Sequence, residues 1–263
     1  MIKFFRTVRQ RMLQENRFSR YFLYAIGEIV LVVIGILIAV QINDWNEIRK
    51  IKLSNSTQLH KMVVELEANI ARMELLATNN TGRMSYGFPS QELAVANCDS
   101  LLRLTYVGLS ETDLPFLTTA RFFAGQSSLN LHQDVFEELK STGRLNTVGS
   151  DSLVSAIKKY NKRYLREEYY AQLHNTAVLR DMEKMEYGLG KLLLDHRMAP
   201  ERFSLANYPW LSDPSSHEYK DMQVAIASAW SSQRQTLEKM LEIAVLSQAL
   251  IDQINVELEA NEQ

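Results

Sequence analysis

Glu28 is the residue whose type and setting most invite chemistry. It is the one acidic residue in the run YFLYAIGEIVLVVIGILIAVQI, residues 21–42, which holds no Lys or Arg. Counted along a helix it lies ~10 Å inside that run, where an ionised carboxylate costs on the order of 2.5–3.5 kcal/mol on insertion scales. At ~100° per residue Gly35 and Ala39 fall about 20° to either side of it, and Gly27 adjoins it. Small residues beside a polar group let membrane helices approach one another closely. Glu28, Gly27, Gly35 and Ala39 therefore form a candidate helix-packing face. Two other readings stay open: a proton or ion site within the membrane, and a protonated or snorkelling carboxyl among glycines that are only the usual enrichment of membrane helices.

Elsewhere the residue patterns argue against catalysis. His60, His132, His174, His196 and His217 form no His-x-x-x-His pair, and none follows Glu or Asp by three residues as a di-iron bundle requires. The chain has no Gly-x-Ser-x-Gly elbow and no phosphate-binding glycine-rich loop. Tyr187-Gly188-Leu189-Gly190-Lys191 lacks the flanking strand such a loop needs and reads as a weak point in a helix. Tyr160, Tyr164, Tyr169 and Tyr170 could line a ligand pocket, although aromatics at helical spacing more commonly fill a core. Cys98, the single cysteine, shares a helix face with Ala94, Leu101 and Leu102, which predicts burial and excludes an intrachain disulfide. The expectation is a non-enzymatic protein with no cofactor and no metal.

The elements that must position Glu28 begin with its own helix. Residues 21–42 span about 33 Å at ~1.5 Å per residue, enough to cross a hydrocarbon core of roughly 30 Å. A cleaved signal peptide has a shorter apolar region and a small-x-small exit, whereas this run leaves through Gln41, Asn43, Asp44 and Trp45. A soluble core helix rarely stays apolar on every face for so long. The run predicts a retained transmembrane helix.

Charge sets its orientation. The formal net charge of −2 hides a basic tail, residues 1–20, where Lys3, Arg6, Arg9, Arg11, Arg17 and Arg20 face only Glu15. Residues 43–263 carry the acidic excess. Arg49, Lys50 and Lys52 follow the span but are outnumbered, so the positive-inside rule places the tail in the cytoplasm and residues 43–263 in the periplasm. Tyr21, Tyr24 and Trp45 sit near the ends, where amphipathic rings favour the headgroup layer. The tail, with Phe4, Phe5, Val8, Met12 and Leu13 among its cations, suits an anionic lipid surface better than a nucleic acid, because a membrane flank already explains the charge.

Beyond the span every strong period is near 3.6. Leu59, Met62/Val63, Leu66, Ile70, Met73 and Leu76/Ala77 predict that the helix continues to about Asn80, where Asn79-Asn80-Thr81-Gly82 ends it. A helix from Ser90 to Gly108 follows, then a connector over 108–130 with one short helical turn, then a short helix closed by Gly143 in the left-handed conformation. Ser150 or Asp151 opens a long helix, with Asp151 as N-cap or in the acidic first turn; it ends before Pro200, with its stripe broken at Arg166 to Glu168. The last helix runs from about Ser216 to Glu259, with a seven-residue repeat at Trp230, Leu237, Ala244, Ile251 and Leu258 that Met240, Leu241 and Ile254 widen. The predicted class is all-α: a single N-terminal transmembrane helix followed by an elongated antiparallel helical bundle.

The stretch Arg20–Glu47, RYFLYAIGEIVLVVIGILIAVQINDWNE, resembles the N-terminal signature of an uncharacterised family of single-pass envelope proteins common in Bacteroidota. FEELKSTGRLNTVGSDSL at Phe136–Leu153, followed by Lys159-Tyr160, is similar to that family's pattern of an aromatic, a Ser-Thr-Gly turn and a Tyr-bearing helix. The resemblance covers roughly a sixth of the chain, implies topology and lends no activity.

These observations lead to an inner-membrane protein whose periplasmic helical domain binds or scaffolds other envelope components, as a homo-oligomer or with other proteins. A subunit of an ion-coupled or channel complex using Glu28 is the alternative. A sensor of a small ligand between bundle helices is another, although a 20-residue tail leaves it no output domain.

Overall fold

The computed structural model describes residues 18–78, 89–123 and 129–262. Five of the tail cations, Lys3, Arg6, Arg9, Arg11 and Arg17, and the Asn79–Gly82 turn lie outside them. The described residues are all-α, with no strand among them. Helix α1 spans Phe18–Thr78, and Arg20 falls in its first turn. It is followed by α2 (Gln91–Val107), α3 (Leu114–Thr119), α4 (Asp134–Ser141), α5 (Asp151–Lys184), α6 (Lys191–Met198) and α7 (His217–Glu262). By the packing of its backbone the chain divides into two compact units, Met1–Thr57 and Gln58–Gln263.

In the first unit no side chain from Ile26 to Leu53 is buried; all are exposed, Leu31 by 74%. A helix apolar on all sides with nothing packed on it is long and apolar enough to cross a membrane.

The second unit holds the core. Leu59, Met62, Leu66, Met73 and Ala77 of α1 are buried, so this stripe is intramolecular core. Leu59, Met62 and Leu66 pack with Leu139, Leu153, Ile157 and Ile254, while Met73 packs with Leu131, Tyr164 and Met240. A third cluster joins Cys98 and Leu101 of α2 to Leu189, Leu192, Met222 and Ile226. Each fully buried Leu or Ile contributes about 1.5–3 kcal/mol.

Polar side chains set the ends of the helices. Ser90 Oγ accepts from the Leu93 amide at 3.2 Å and Ser150 Oγ from the Leu153 amide at 3.4 Å, each capping the helix it precedes. Gly108 (φ 106°) and Gly143 (φ 71°) occupy positive-φ positions that favour glycine. Helix α4 has no cap from its own chain neighbourhood. Glu65 of α1 supplies one, accepting from the Val135 amide at 3.0 Å. Asn69 clamps the irregular stretch before α4, exchanging two 2.9 Å hydrogen bonds with the His132 backbone.

Along α5 and α7 the partners fall at descending numbers as the chain ascends: Ser150 meets Glu257, Tyr160 meets Ser247, and Arg163 meets Glu242. These two helices therefore run in opposite directions. Helix α2 is related to α7 in the same way, with Cys98 near Gln233 and Thr105 near Tyr219.

Three sequence readings change. The long helix expected to end before Pro200 stops at Lys184; a π-helical turn over Glu186–Gly190 joins it to α6. That turn falls on the Gly-Leu-Gly weak point, and a Cβ on Gly188 would lie 3.1 Å from the Glu218 Cβ, so the glycine also permits close approach. The buried stripe of α5 continues through Arg166 to Glu168, with Glu167 in a position where the period predicts an apolar residue. The seven-residue repeat of α7 holds only at its end: Ile251 and Leu258 are buried, whereas Trp230, Leu237 and Ala244 are half-buried. The buried stripe runs through Met240, which the sequence places on this face, and through Gln233, Thr236, Ile243 and Ser247, which it does not. Hydrogen bonds from Gln233 to the Phe122 and Ala229 carbonyls, and from Ser247 to the Ile243 carbonyl, allow polar residues to hold core positions.

Candidate functional site

Glu28, Gly27, Gly35 and Ala39 lie on the exposed part of α1. A Cβ built on Gly27 or Gly35 meets nothing within 4 Å, so no other part of the described chain fills that face. The arrangement leaves the carboxylate and the small residues beside it open to whatever surrounds the helix. What this can do chemically is accept a hydrogen bond from, or pack closely against, a second helix.

The larger electrostatic feature was not recognised in the sequence. Glu167 is buried, its side chain 5% exposed, at the point where the α5 stripe seemed to break. Oε1 receives Arg163 at 2.8 Å and Arg166 at 3.0 Å, and Oε2 receives Lys239 at 3.2 Å from α7. Arg163 bridges onward to Glu242 at 2.6 Å, and Lys239 sits 5.1 Å over the Tyr170 ring. The one available signal was the i, i+4 pair Arg163 and Glu167. The cross-helix partners Lys239 and Glu242 leave no local trace.

Beside this network α5 and α7 form an open cleft of about 670 Å³. Its floor is Ala156, Leu246, Ala249 and Leu250, and Lys159, Lys162, Arg163 and Arg166 line one side. The tyrosine group is divided. Tyr160 donates or accepts at Ser247 Oγ (2.8 Å) and borders the cleft, and the buried Tyr164 hydroxyl accepts from the Leu131 amide at 3.3 Å. Tyr169 and Tyr170 are exposed and meet edge to face at 5.8 Å.

Cys98 is fully buried, and its thiol donates to the Phe122 carbonyl at 2.9 Å. Burial pushes that thiol up to about 12, far from a reactive thiolate. The five histidines are dispersed: His196 stacks edge to face on Phe203 at 4.9 Å, and His217 pairs with Asp221 at 3.5 Å. Among the described residues no group of three His, Cys, Asp or Glu is placed to hold a metal ion.

His174 reports on the same region. Burial, then the Lys239 charge, holds its imidazole below the ordinary value of about 6.5. The unfolded chain therefore binds a proton that the folded chain resists. Stability from this group is complete above about pH 6.5 and is lost as pH falls toward its depressed folded value. Thermal unfolding from pH 8 to pH 5 (about the range in which His titrates) should show a smaller acid loss for His174→Asn than for the parent. Superimposable curves would remove His174 from the acid response.

A family model described as a family of unknown function (DUF6090) matches residues 28–104. The match begins at Glu28, takes in Gly35 and Ala39, and ends at Leu104 in α2. The Phe136–Leu153 patch and the Glu167 network lie beyond it. No curated protein and no solved structure matches the chain.

Proposed function

We propose that this chain is a non-enzymatic, single-pass inner-membrane protein of the Bacteroidota envelope family that residues 20–47 resemble. The observation that carries the proposal is the exposed apolar surface of α1 around Glu28, which is too large to leave in water. The bilayer covers it, the basic tail lies in the cytoplasm on anionic lipid, and residues 43–263 form an elongated antiparallel bundle in the periplasm. That domain binds or scaffolds envelope partners, and the Glu28 face, which the described chain leaves open, joins copies or partners into an oligomer. The same open carboxylate favours the second reading, a subunit of an ion-coupled or channel complex. The cleft beside Tyr160 keeps the small-ligand sensor as a third.

Protease added to spheroplasts tests the topology. It should degrade residues from about 43 onward and spare a tag at Met1, because the six tail cations hold the N-terminus inside. A protected C-terminal domain would overturn the orientation.

A further inference from the structure

The cleft between α5 and α7 combines two features that a solvated surface does not need together. Lys159, Lys162, Arg163 and Arg166 stand at i, i+3, i+4 and i+7 of α5, one stripe in which like charges repel. Glu167 and Glu242 compensate Arg163 and Arg166. Among the described residues no carboxylate pairs with Lys159 or Lys162, and both side chains are exposed. Against this row lies an apolar floor, Ala156, Leu246, Ala249 and Leu250, where the two alanines leave the depression. The surrounding segment, residues 43–263, is acidic overall, so the basic stripe is a local exception.

We propose that this cleft binds a single-chain anionic lipid, its carboxylate or phosphate head held by Lys159 and Lys162 and its alkyl chain laid on Leu246, Ala249 and Leu250. Charge complementarity selects an anion, and the apolar floor selects an amphiphile over a free ion. The size supports a lipid over an acidic helix. The cleft has a volume within the roughly 300–1,000 Å³ of small-ligand pockets. From Ala156 to Arg166 the α5 side of the cleft extends ~15 Å, at 1.5 Å per residue. The assignment goes beyond a scaffolding role, since it gives the domain a ligand of its own.

The test places the full chain in phosphatidylcholine nanodiscs with a palmitic-acid analogue bearing a terminal diazirine, or with the matching alcohol, and maps the photolabelled peptides. The acid should label peptides around residues 156–166 and 246–250, and the alcohol should not. Lys159→Glu with Lys162→Glu should reduce that label by about tenfold or more, since the loss of even one of the two charge-assisted contacts is worth about that factor. Ala249→Trp, at an exposed position, should fill the floor and do the same without altering charge. Equal labelling by the alcohol, label unchanged in both variants, or Lys159 and Lys162 cross-linked to an acidic helix or a second copy in place of lipid would each overturn the proposal. Residues 24–42 serve as an independent readout. Both probes should label them if α1 spans the bilayer, so failure there counts against the anchor and leaves the cleft to its own result.

Discussion

Glu167→Ala is expected to destabilise the second unit by about 3–5 kcal/mol, because removing one partner of a buried ion pair leaves uncompensated charge behind. Glu167 holds Arg163, Arg166 and Lys239 within 2.8–3.2 Å, and the Arg163 and Lys239 side chains are only 25% and 18% exposed. Without the carboxylate, the largely buried Arg163 and Lys239, from two helices, face each other with Glu242 as the remaining anion paired to Arg163. Arg166→Ala provides the contrast: its side chain is 55% exposed and Glu167 keeps Arg163 and Lys239, so the expected loss is that of a solvated cation, about 1 kcal/mol or less. Urea unfolding followed by circular dichroism should separate the two variants. Equal losses would mean that Glu167 is hydrated in solution and that the network does not join α5 to α7 as described.

Gly35→Leu is expected to abolish assembly through α1, while Glu28→Gln preserves most of it. A leucine at Gly35 places a branched side chain where two helix backbones would otherwise approach closely, and α1 has no contact of its own there to absorb the change. Glutamine keeps the shape and hydrogen-bonding capacity of Glu28, and interhelical hydrogen bonds of this kind are worth about 0.6–2 kcal/mol. A proton-transfer role reverses the functional outcome, since an amide cannot exchange a proton: Glu28→Gln would then abolish function and leave the complex intact. Recovery of the complex in detergent, read beside the growth phenotype of a deletion, distinguishes these. If neither variant changes either readout, both the packing and the proton roles fail and the snorkelling account of Glu28 stands.

Local patterns were sufficient where one element makes its own case. The apolar run around Glu28, the caps at Ser90 and Ser150, the left-handed Gly143, the buried face of Cys98 and the stripe from Leu59 to Ala77 follow from neighbours within a few residues, because hydrophobic periodicity and capping act at that range. Tertiary structure decided what depended on a partner far along the chain. Glu167 reads as a break in the α5 stripe because the sequence does not show that Lys239 of α7 arrives beside it. Gln233 and Ser247 concealed the true stripe of α7 because polar residues enter a core only when a partner satisfies them, and for Gln233 that partner is the Phe122 carbonyl. The cap on α4 comes from Glu65, and the cleft exists only once the floor from α7 lies beside the basic row of α5. Burial of a charged or polar side chain is a property of the assembled neighbourhood. No window of sequence contains it.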